Sequence, residues 1–359
     1  MRNKYYPFQS QAVRRTLLLA GLSCIASYSF AEKPSIAVYG QLHVSVDYLD
    51  TDGKDALGKD KSGKVNVSSN ASNLGVRGKY AFDENFTAIY QLESSVNVVD
   101  ADWELNRNSF LGLEGNWGRV RVGTMDTPLK LLRTRTEFFP NQVGDARNIV
   151  HMAHGKADRR FKNSINYQSP TLAGFTANIH YSTNTDKGGT RNADTKALSS
   201  SVEYKYKDFW VAVAHDNTGK QTDSQQITRL ASYYDFGVIR IAALYQHVKD
   251  DNYSSDTYGG GARWMVAKKW GLKGQAYRYR DTDHKTKADM LSLGVDYFYH
   301  KNLSFYLSTA YIKNSGTQMT PFAVARSAKP AIVTPDSPPA LTHLAAEPFG
   351  VSLGAIFKF

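Results

Sequence analysis

A period of two in hydrophobicity runs through the chain from residue 36 and constrains the fold more than any other feature. Ile36, Val38 and Leu42 lie at alternate positions, and Gln41 and His43 fall between the apolar residues. Because successive side chains of a β-strand point to opposite faces, this period predicts strands with one apolar and one polar face. Beyond residue 31, no segment approaches the roughly 20 apolar residues that a membrane helix needs. The fold is therefore predicted to be all-β.

The connections between the predicted strands alternate between short and long. Turns such as 83–85 and 207–208 are short, whereas connections such as 51–70 are long and polar. Outer-membrane barrels have short periplasmic turns and longer external loops, and a soluble β-sandwich rarely keeps such asymmetry throughout. We therefore predict an antiparallel transmembrane β-barrel. Its sixteen strands are expected near residues 36–48, 74–82, 86–99, 106–114, 119–123, 163–169, 175–181, 198–206, 209–217, 226–236, 238–248, 257–266, 272–280, 290–299, 303–313 and 349–359.

The connection from Asp126 to Arg159 differs from the others in length and composition. Connections above about 15 residues without regular structure are unusual in compact domains and are usually functional or disordered. No strand or helix is predicted with any clarity in this segment. It also carries apolar residues that a solvated linker would not need: Leu131, Leu132, Phe138 and Phe139. We predict that it folds back into the barrel lumen and narrows a pore.

The N-terminal 31 residues have the features of a secretory signal peptide. Four basic residues precede or flank a short apolar stretch, Thr16–Ala26, and Ser29-Phe30-Ala31 supplies small residues at the spacing of a cleavage site. Cleavage is expected near Ala31, which leaves a barrel domain of residues 32–359. Because Cys24 is the only cysteine of the chain, that domain contains no thiol.

The final strand indicates how the barrel closes. Val351, Leu353 and Phe357 alternate with small or polar residues, and the strand ends at Phe359. An unpaired backbone group in lipid costs several kcal/mol, so the last strand is expected to pair with the first strand near Ile36. The preceding stretch, residues 314–348, is rich in proline and alanine and is predicted to be a long external loop.

The remaining signals exclude several classes of function. The net charge of +11 could indicate nucleic-acid binding, but an exported chain rarely meets nucleic acid. No nucleophile elbow, phosphate loop or zinc signature is present. His151 and His154 share a spacing that suits one helical turn but lack a third ligand. Neither an enzyme, a cofactor site nor a metal site is therefore predicted.

Several motifs, in order and on alternating strands, resemble the trimeric general porins of Gram-negative bacteria, closest to the neisserial and betaproteobacterial type. The motifs are Val38-Tyr39-Gly40, Ser72–Gly78, Asn106–Leu113, Gly118–Gly123, Asn163–Pro170 and the terminal Phe359. The resemblance implies a cell outer-membrane barrel of sixteen strands whose third external loop folds inward. It also implies a homotrimer in contact with outer-membrane lipid and lipopolysaccharide. The leading hypothesis is a water-filled channel for passive diffusion of small hydrophilic solutes and ions. A substrate-specific channel and a surface adhesin that acts through its external loops are the alternatives.

The resemblance also implies a constriction where basic wall residues oppose acidic loop residues. Arg107 and Arg160 match two wall arginines, and a third position is occupied by Asn73. Glu137 and Asp145 match the acidic loop side. Arg107 and Ser109 are expected to point inward with Asn108 and Phe110 outward. For the later strand, Lys162, Ser164 and Asn166 are expected inward, and Phe161, Ile165 and Tyr167 outward.

Four further arginines are candidates whose place is left open. Arg133 and Arg135 could line the pore or pair with Glu137. Arg119 and Arg121 share a face opposite Val120 and Val122, so they are expected inward but at an unknown distance from the constriction. Because these basic residues outnumber Glu137 and Asp145, a weak to moderate preference for anions is predicted.

Overall fold

A computed structural model describes residues 34–50, 52–54, 60–61, 63–150, 157–185, 196–220, 223–251, 253–283, 285–315, 322–325 and 347–359. The predicted signal peptide, residues 1–31, and its cleavage site lie outside these residues. His151, His154 and most of the 314–348 stretch lie outside them as well.

The described residues form a closed antiparallel barrel of sixteen strands, which confirms the predicted fold. Two strands, β2 and β4, are each interrupted by a short irregular stretch. The strands are β1 (Ser35–Asp50), β2 (Lys64–Ser69 and Asn73–Ala81), β3 (Thr87–Asn97), β4 (Asp102–Glu104 and Ser109–Gly115), β5 (Gly118–Asp126), β6 (Arg160–Gln168), β7 (Phe175–Ser182), β8 (Ala197–Tyr206), β9 (Phe209–Lys220), β10 (Asp223–Asp235), β11 (Ile239–Asp250), β12 (Ser254–Ala267), β13 (Trp270–Asp281), β14 (Lys287–His300), β15 (Leu303–Ser315) and β16 (Phe349–Lys358).

The barrel closes between its first and last strands, as predicted. β16 pairs with β1 from Gln41 opposite Lys358 to Asp50 opposite Phe349. Beyond that ladder, the backbone of Gly40 exchanges two hydrogen bonds with the backbone of Phe359, at 3.0 and 3.1 Å. No edge of the sheet is left unpaired by these two strands, so lipid meets a continuous wall.

The two faces of the wall carry different side chains. On β1, Ile36, Val38 and Leu42 are exposed, whereas His43 and Asp47 are fully buried. The exposed apolar set forms the outer face of the barrel, and the alternate set forms the inner face. This is the alternation that the sequence period predicts, and it recurs along the barrel except where a strand is interrupted or bulged.

The described part of the connection between β5 and β6, residues 127–150 and 157–159, contains two helices that the sequence analysis did not predict. α1 is Pro128–Thr136 and α2 is Arg147–Val150. Thr127 caps α1 by accepting a hydrogen bond from the Lys130 N–H, and Pro128 occupies the first turn, where no amide donor is needed. Neither helix is long and apolar enough to cross a membrane, a finding limited to the described residues.

One predicted orientation is wrong because β4 is interrupted. Residues 105–108 are irregular, so the alternation begins only at Ser109. Leu111 is 65% exposed on the outer face. Phe110 is turned the other way, where its ring lies beneath the Arg121 guanidinium at 5.3 Å. The predicted outward position of Phe110 is therefore corrected to the inner face. Ser109, which was predicted to point inward, lies on the same face as the exposed Leu111.

A second orientation is wrong because β6 contains a β-bulge. The pairing with β5 shifts between Phe161 and Ser164, and Asn163 adopts a left-handed φ of 47°. Ile165 and Tyr167 are exposed, as predicted, but Phe161 is fully buried and packs against His180. A bulge inserts one extra residue and so reverses the alternation beyond it.

Candidate functional site

The connection between β5 and β6 packs against the inner face of the later strands. Arg229 of β10 donates to the Leu129 carbonyl at 2.8 Å. Gln275 of β13 and Ser292 of β14 both donate to the Gly144 carbonyl, at 2.7 and 3.0 Å. Gly144 has a φ of +86°, and a Cβ there would lie 2.5 Å from the Ser292 Oγ. Glycine is therefore required at the point where the segment meets the wall.

A buried ion network holds the middle of this segment. Arg133 contacts Glu137 at 3.2 Å and Asp145 at 3.1 Å, and it also pairs with Asp158. Asp158 binds Arg229 at 2.6 Å, so the network joins α1 to β10. The side chains of Glu137 and Asp145 are only 1% and 3% exposed. Both predicted acidic residues are thus enclosed, and Arg133 is the arginine that pairs with Glu137.

The network contains more carboxylates than guanidinium groups, and its pKa values reflect this. Burial, together with the neighbouring Asp145, raises the pKa of Glu137 to about 8 against the attraction of Arg133. Burial also disfavours the charged form of Asp158, but Arg133 and Arg229 outweigh it and hold the pKa of that carboxyl below its ordinary range. Near neutral pH, Glu137 therefore favours its protonated form.

Within residues 126–150 and 157–159, the described part of the segment, the exposed side chains include no acidic group. They are those of Leu131, Thr134, Arg135 and Pro140. Arg135 pairs with Glu203 of β8 at 2.5 Å and lies over the Trp210 ring. Arg147 is half-buried, and its Nε has no hydrogen-bond partner among the described residues. The charge that this segment presents to water is therefore positive.

Arg107 lies on the opposite wall in a cluster with Glu93 and Tyr39. The Arg107 Nε pairs with one Glu93 oxygen, and the Tyr39 hydroxyl donates to the other at 2.7 Å. Glu93 follows the exposed Leu92 on β3 and therefore lies on the inner face. The interruption of β4 at residues 105–108 lets the Arg107 side chain reach this cluster.

Arg160 lies beside Asp126 where β5 and β6 meet the long connection. Its Nε is 2.9 Å from the Asp126 Oδ1 and donates to the Asn108 Oδ1 at 2.9 Å. Lys130 of α1 binds the same carboxylate at 2.7 Å. Ser164 is on the inner face, but the bulge between Phe161 and Ser164 means that counting alternate residues back from Ser164 does not give the face of Arg160. The position of the Arg160 side chain is known from its contacts with Asp126 and Asn108 alone.

Three of the remaining candidates occupy other parts of the inner wall, and the fourth lies at the bulge. Arg121 donates to the buried Asn166 at 2.6 Å. Arg119 lies near the short-turn end of β5, 3.5 Å from Glu114. Asn73 faces Gln41 across β1 and β2 and donates to the Ala71 carbonyl. Lys162 lies within the bulge of β6 and is half-buried. None of these four contacts the buried network of Arg133.

The cation is the more exposed partner in several ion pairs of the inner face. Arg107 is 24% exposed and Glu93 9%. Arg135 is 44% exposed and Glu203 14%. Arg263 of β12 is 33% exposed, whereas its partner on β14, Asp296, is 9% exposed. In these pairs the carboxylate is the more buried partner, and the guanidinium group is the one in contact with water.

The sequence analysis missed four residues of this arrangement. Glu93 and Glu203 could have been found from strand parity, because each alternates with exposed apolar residues. Asp158 and Arg229 carried no local signal, since they are 71 residues apart and meet only through the fold. No group of three or more potential metal ligands occurs within the described part of the chain.

Comparisons with known proteins agree on one class. A model described as Gram-negative porin matches residues 16–317. Outer membrane porin protein 32 of Delftia acidovorans is 26% identical over 316 residues, which cover 83% of this chain and 89% of the relative. Major outer membrane protein P.IB of Neisseria lactamica is 23% identical, covering 80% and 91%. A solved structure titled as an anion-selective porin from Comamonas acidovorans has a TM-score of 0.74 at 23% identity, covering 91% of this chain and all of that one.

Proposed function

The chain belongs to the Gram-negative porin family and forms an outer-membrane channel, and from this premise we propose how it acts on solutes. We propose passive, water-filled diffusion of small hydrophilic solutes and ions with a preference for anions. Members of this family and the relatives are channels, and we infer that this chain likewise has no catalytic role.

We propose that the segment 126–159 lies in the lumen and forms the constriction. Its support is the set of contacts that α1 and the Gly144 region make with inner-face side chains of β10, β13 and β14. Arg135 and Arg147 on the segment and Arg107 on the wall are then the basic groups of the constriction, with Arg160 at its base. Glu137, Asp145 and Arg133 act differently, because they hold the segment in place from within.

The exposure of the cations in the inner-face ion pairs carries the proposed anion preference. A unit charge about 5 Å from an ion contributes about 0.8 kcal/mol in bulk water, and more where a narrow pore lowers the dielectric constant. Salt at about 0.15 M screens such charges over roughly 8 Å. A few exposed cations therefore bias the flux by several-fold and do not exclude cations. The structural neighbour titled as anion-selective supports the same direction.

Zero-current potentials in planar bilayers test the preference. Arg107→Gln and Arg135→Gln are each expected to move the potential in a salt gradient toward cation selectivity, with a smaller shift at high salt. Glutamine is preferable to glutamate here, because charge reversal would put two carboxylates side by side at Glu93 or Glu203. Lys249→Gln removes one exposed charge from the outer face and serves as the control. If the double variant Arg107→Gln/Arg135→Gln leaves the potential at the wild-type value, the proposed constriction charges are not the selectivity groups.

We also propose a homotrimer formed through the early strands. Val38, Leu42, Phe86 and Leu92 are exposed apolar residues of this region, and Val44 and Ala88 lie between them. A related fold, OmpT of Vibrio cholerae, was solved in a trimer form. Cross-linking in mild detergent is expected to give a species three times the monomer mass. A single monomer band without heating or further products would contradict the trimer.

A further inference from the structure

We propose that Lys273 of β13 positions the tip of the constriction, residues 138–142, against the wall of the channel. This role depends on the proposed position of segment 126–159 in the lumen, and it goes further by naming the group that keeps the tip in place. Lys273 follows the exposed Leu272 and therefore lies on the inner face. Its side chain is only 1% exposed, although this face is wet. Because lysine is almost never fully buried unless its charge is paired, its partners show what it holds.

The ammonium group of Lys273 contacts the tip and the wall at the same time. Its Nζ donates to the Gln142 Oε1 at 2.8 Å and lies 2.7 Å from the Asp296 Oδ1 on β14. The Nζ is also 4.5 Å from the centre of the Phe139 ring and 5.7 Å from the centre of the Tyr306 ring on β15. A cation within about 6 Å of a ring centre is attracted to the ring face. One ammonium group thus joins two residues of the tip to two residues of the wall.

The wall has a gap that receives the Phe139 ring. Gly294 of β14 is directly opposite Lys273 in the strand register. A Cβ at Gly294 would lie 2.9 Å from the Phe139 Cε1 and 2.9 Å from the Lys273 Cε. The ring is fully buried there and packs with Phe138 and with Ala242 of β11. The absence of a side chain at residue 294 therefore makes room for the ring beside the lysine stem.

The other contacts of the tip with the wall are weaker or lie at its end. Arg263 of β12 donates to the Phe138 carbonyl at 3.4 Å, and its guanidinium lies 5.8 Å from the centre of the Phe138 ring. The side chain of Arg263 is 33% exposed, so water screens its charge more than that of Lys273. The hydrogen bonds at the Gly144 carbonyl hold the chain two residues beyond Gln142. Lys273 is therefore the buried cation that contacts the tip itself.

The docked tip keeps the channel at its full width. The wall lies behind the tip, so a tip that loses its contacts with the wall can move only into the water-filled lumen. There Phe138, Phe139 and Pro140 would narrow the path of solutes. Each release of the tip is accordingly expected to give a brief step to lower current, and the frequency of these steps reports how firmly Lys273 holds the tip.

Single-channel recording at a fixed voltage tests this role. Lys273→Met keeps the length of the side chain and leaves Asp296 paired with Arg263 at 3.3 Å, so the barrel is expected to fold. The downward steps are expected to become about tenfold more frequent, because a hydrogen bond to a charged group contributes at least about that factor. Lys205→Met is the control for the lost charge, since it removes an exposed lysine that alternates with the outward Tyr206 and so lies on the inner face of β8.

A matched change on the segment shows whether the tip and the wall act through one contact. Phe139→Leu keeps an apolar side chain, leaves the lysine in place, and is expected to make the steps more frequent as well. The double variant Lys273→Met/Phe139→Leu is expected to show fewer steps than the two separate effects multiplied together, because residues in contact are not additive. Lys273→Arg retains a cation for Asp296 and Gln142 and is expected to restore the wild-type current.

The proposal is overturned by wild-type currents in Lys273→Met or in Phe139→Leu, even if the folded form is lost at a lower temperature, because the contact would then support the fold alone. Multiplicative effects in the double variant overturn it as well. If Lys273→Met does not fold, Phe139→Leu decides the question. Replacing residues 131–149 by a glycine-serine linker separates these results from failure of the constriction. If that channel keeps the wild-type conductance, the constriction lies elsewhere and the role of Lys273 falls with it; if its conductance rises while Lys273→Met stays quiet, only the role of Lys273 is wrong.

Discussion

The charged residues show what a sequence reveals and what it omits at the scale of single residues. Arg133 and Glu137 are four apart, so their pairing on a helix could be anticipated. The burial of that pair could not, because it depends on Asp158 and Arg229, which approach only in the folded barrel. Glu137 and Asp145 therefore looked like channel residues in the sequence and are enclosed in the structure.

The pKa of Glu137 leads to a prediction about pH. Burial and Asp145 raise this pKa from an ordinary 4.5 to about 8, so the folded state binds a proton that the unfolded state releases. The contribution of this group to stability therefore falls as the pH rises from about 4.5 to about 8. Glu137→Gln keeps the carbonyl acceptor, removes the titration, and is expected to flatten this slope. The measurement is the temperature at which the folded, fast-migrating form is lost, from pH 5 to pH 8.5.

The depressed pKa of Asp158 does not interfere with this experiment. The contribution of Asp158 to folding stability is fully present above the ordinary pKa of 3.8. It is lost only as the pH falls through the lower pKa of Asp158 in the folded state. A wild-type slope retained in Glu137→Gln would show that another group takes up the proton.

Regular elements were predictable to the extent that they follow one simple rule. The period of two gave the strands and the outer face, because side-chain direction in a strand alternates without exception until a bulge or break occurs. Asn163 and the interruption before Ser109 are such points, and each turned a neighbouring aromatic ring to the inner face. Thr127 and Pro128 begin α1, but a threonine followed by a proline is also common in turns, so these two residues alone do not predict a helix.

The connection between β5 and β6 yields a prediction at the same scale. Replacing residues 131–149 by a short glycine-serine linker removes Arg135, Arg147 and the bulk of the proposed constriction. Single-channel conductance is expected to rise several-fold and anion preference to fall. Replacing residues 98–101, between β3 and β4, by the same linker is the control and is expected to leave conductance unchanged. Wild-type conductance after the first replacement would place the constriction elsewhere.

Closure of the barrel is the property of the whole molecule that depends most on its ends. Gly40 and Phe359 are 319 positions apart, yet their backbones form the last two hydrogen bonds of the β1–β16 seam. A Cβ on Gly40 would lie 2.5 Å from the Phe359 ring and 2.7 Å from the Asn73 carbonyl oxygen. The seam therefore has no room for a side chain at residue 40, where β1 lies between Phe359 and β2.

Gly40→Ala is accordingly expected to impair barrel closure. The ring can move, but the Asn73 carbonyl is fixed by the sheet, and such overpacking costs about 1–3 kcal/mol. A smaller fraction of refolded protein should reach the folded, fast-migrating form, and the loss should grow with temperature. Gly271→Ala is the matched control, since the shortest contact of its Cβ would be with the flexible Met265 sulfur at 3.2 Å, and the Phe298 ring and the Arg263 Cδ lie at 3.6 and 3.8 Å. Equal yields from the two variants would show that the seam tolerates a side chain at residue 40 and that closure depends on the hydrogen bonds alone.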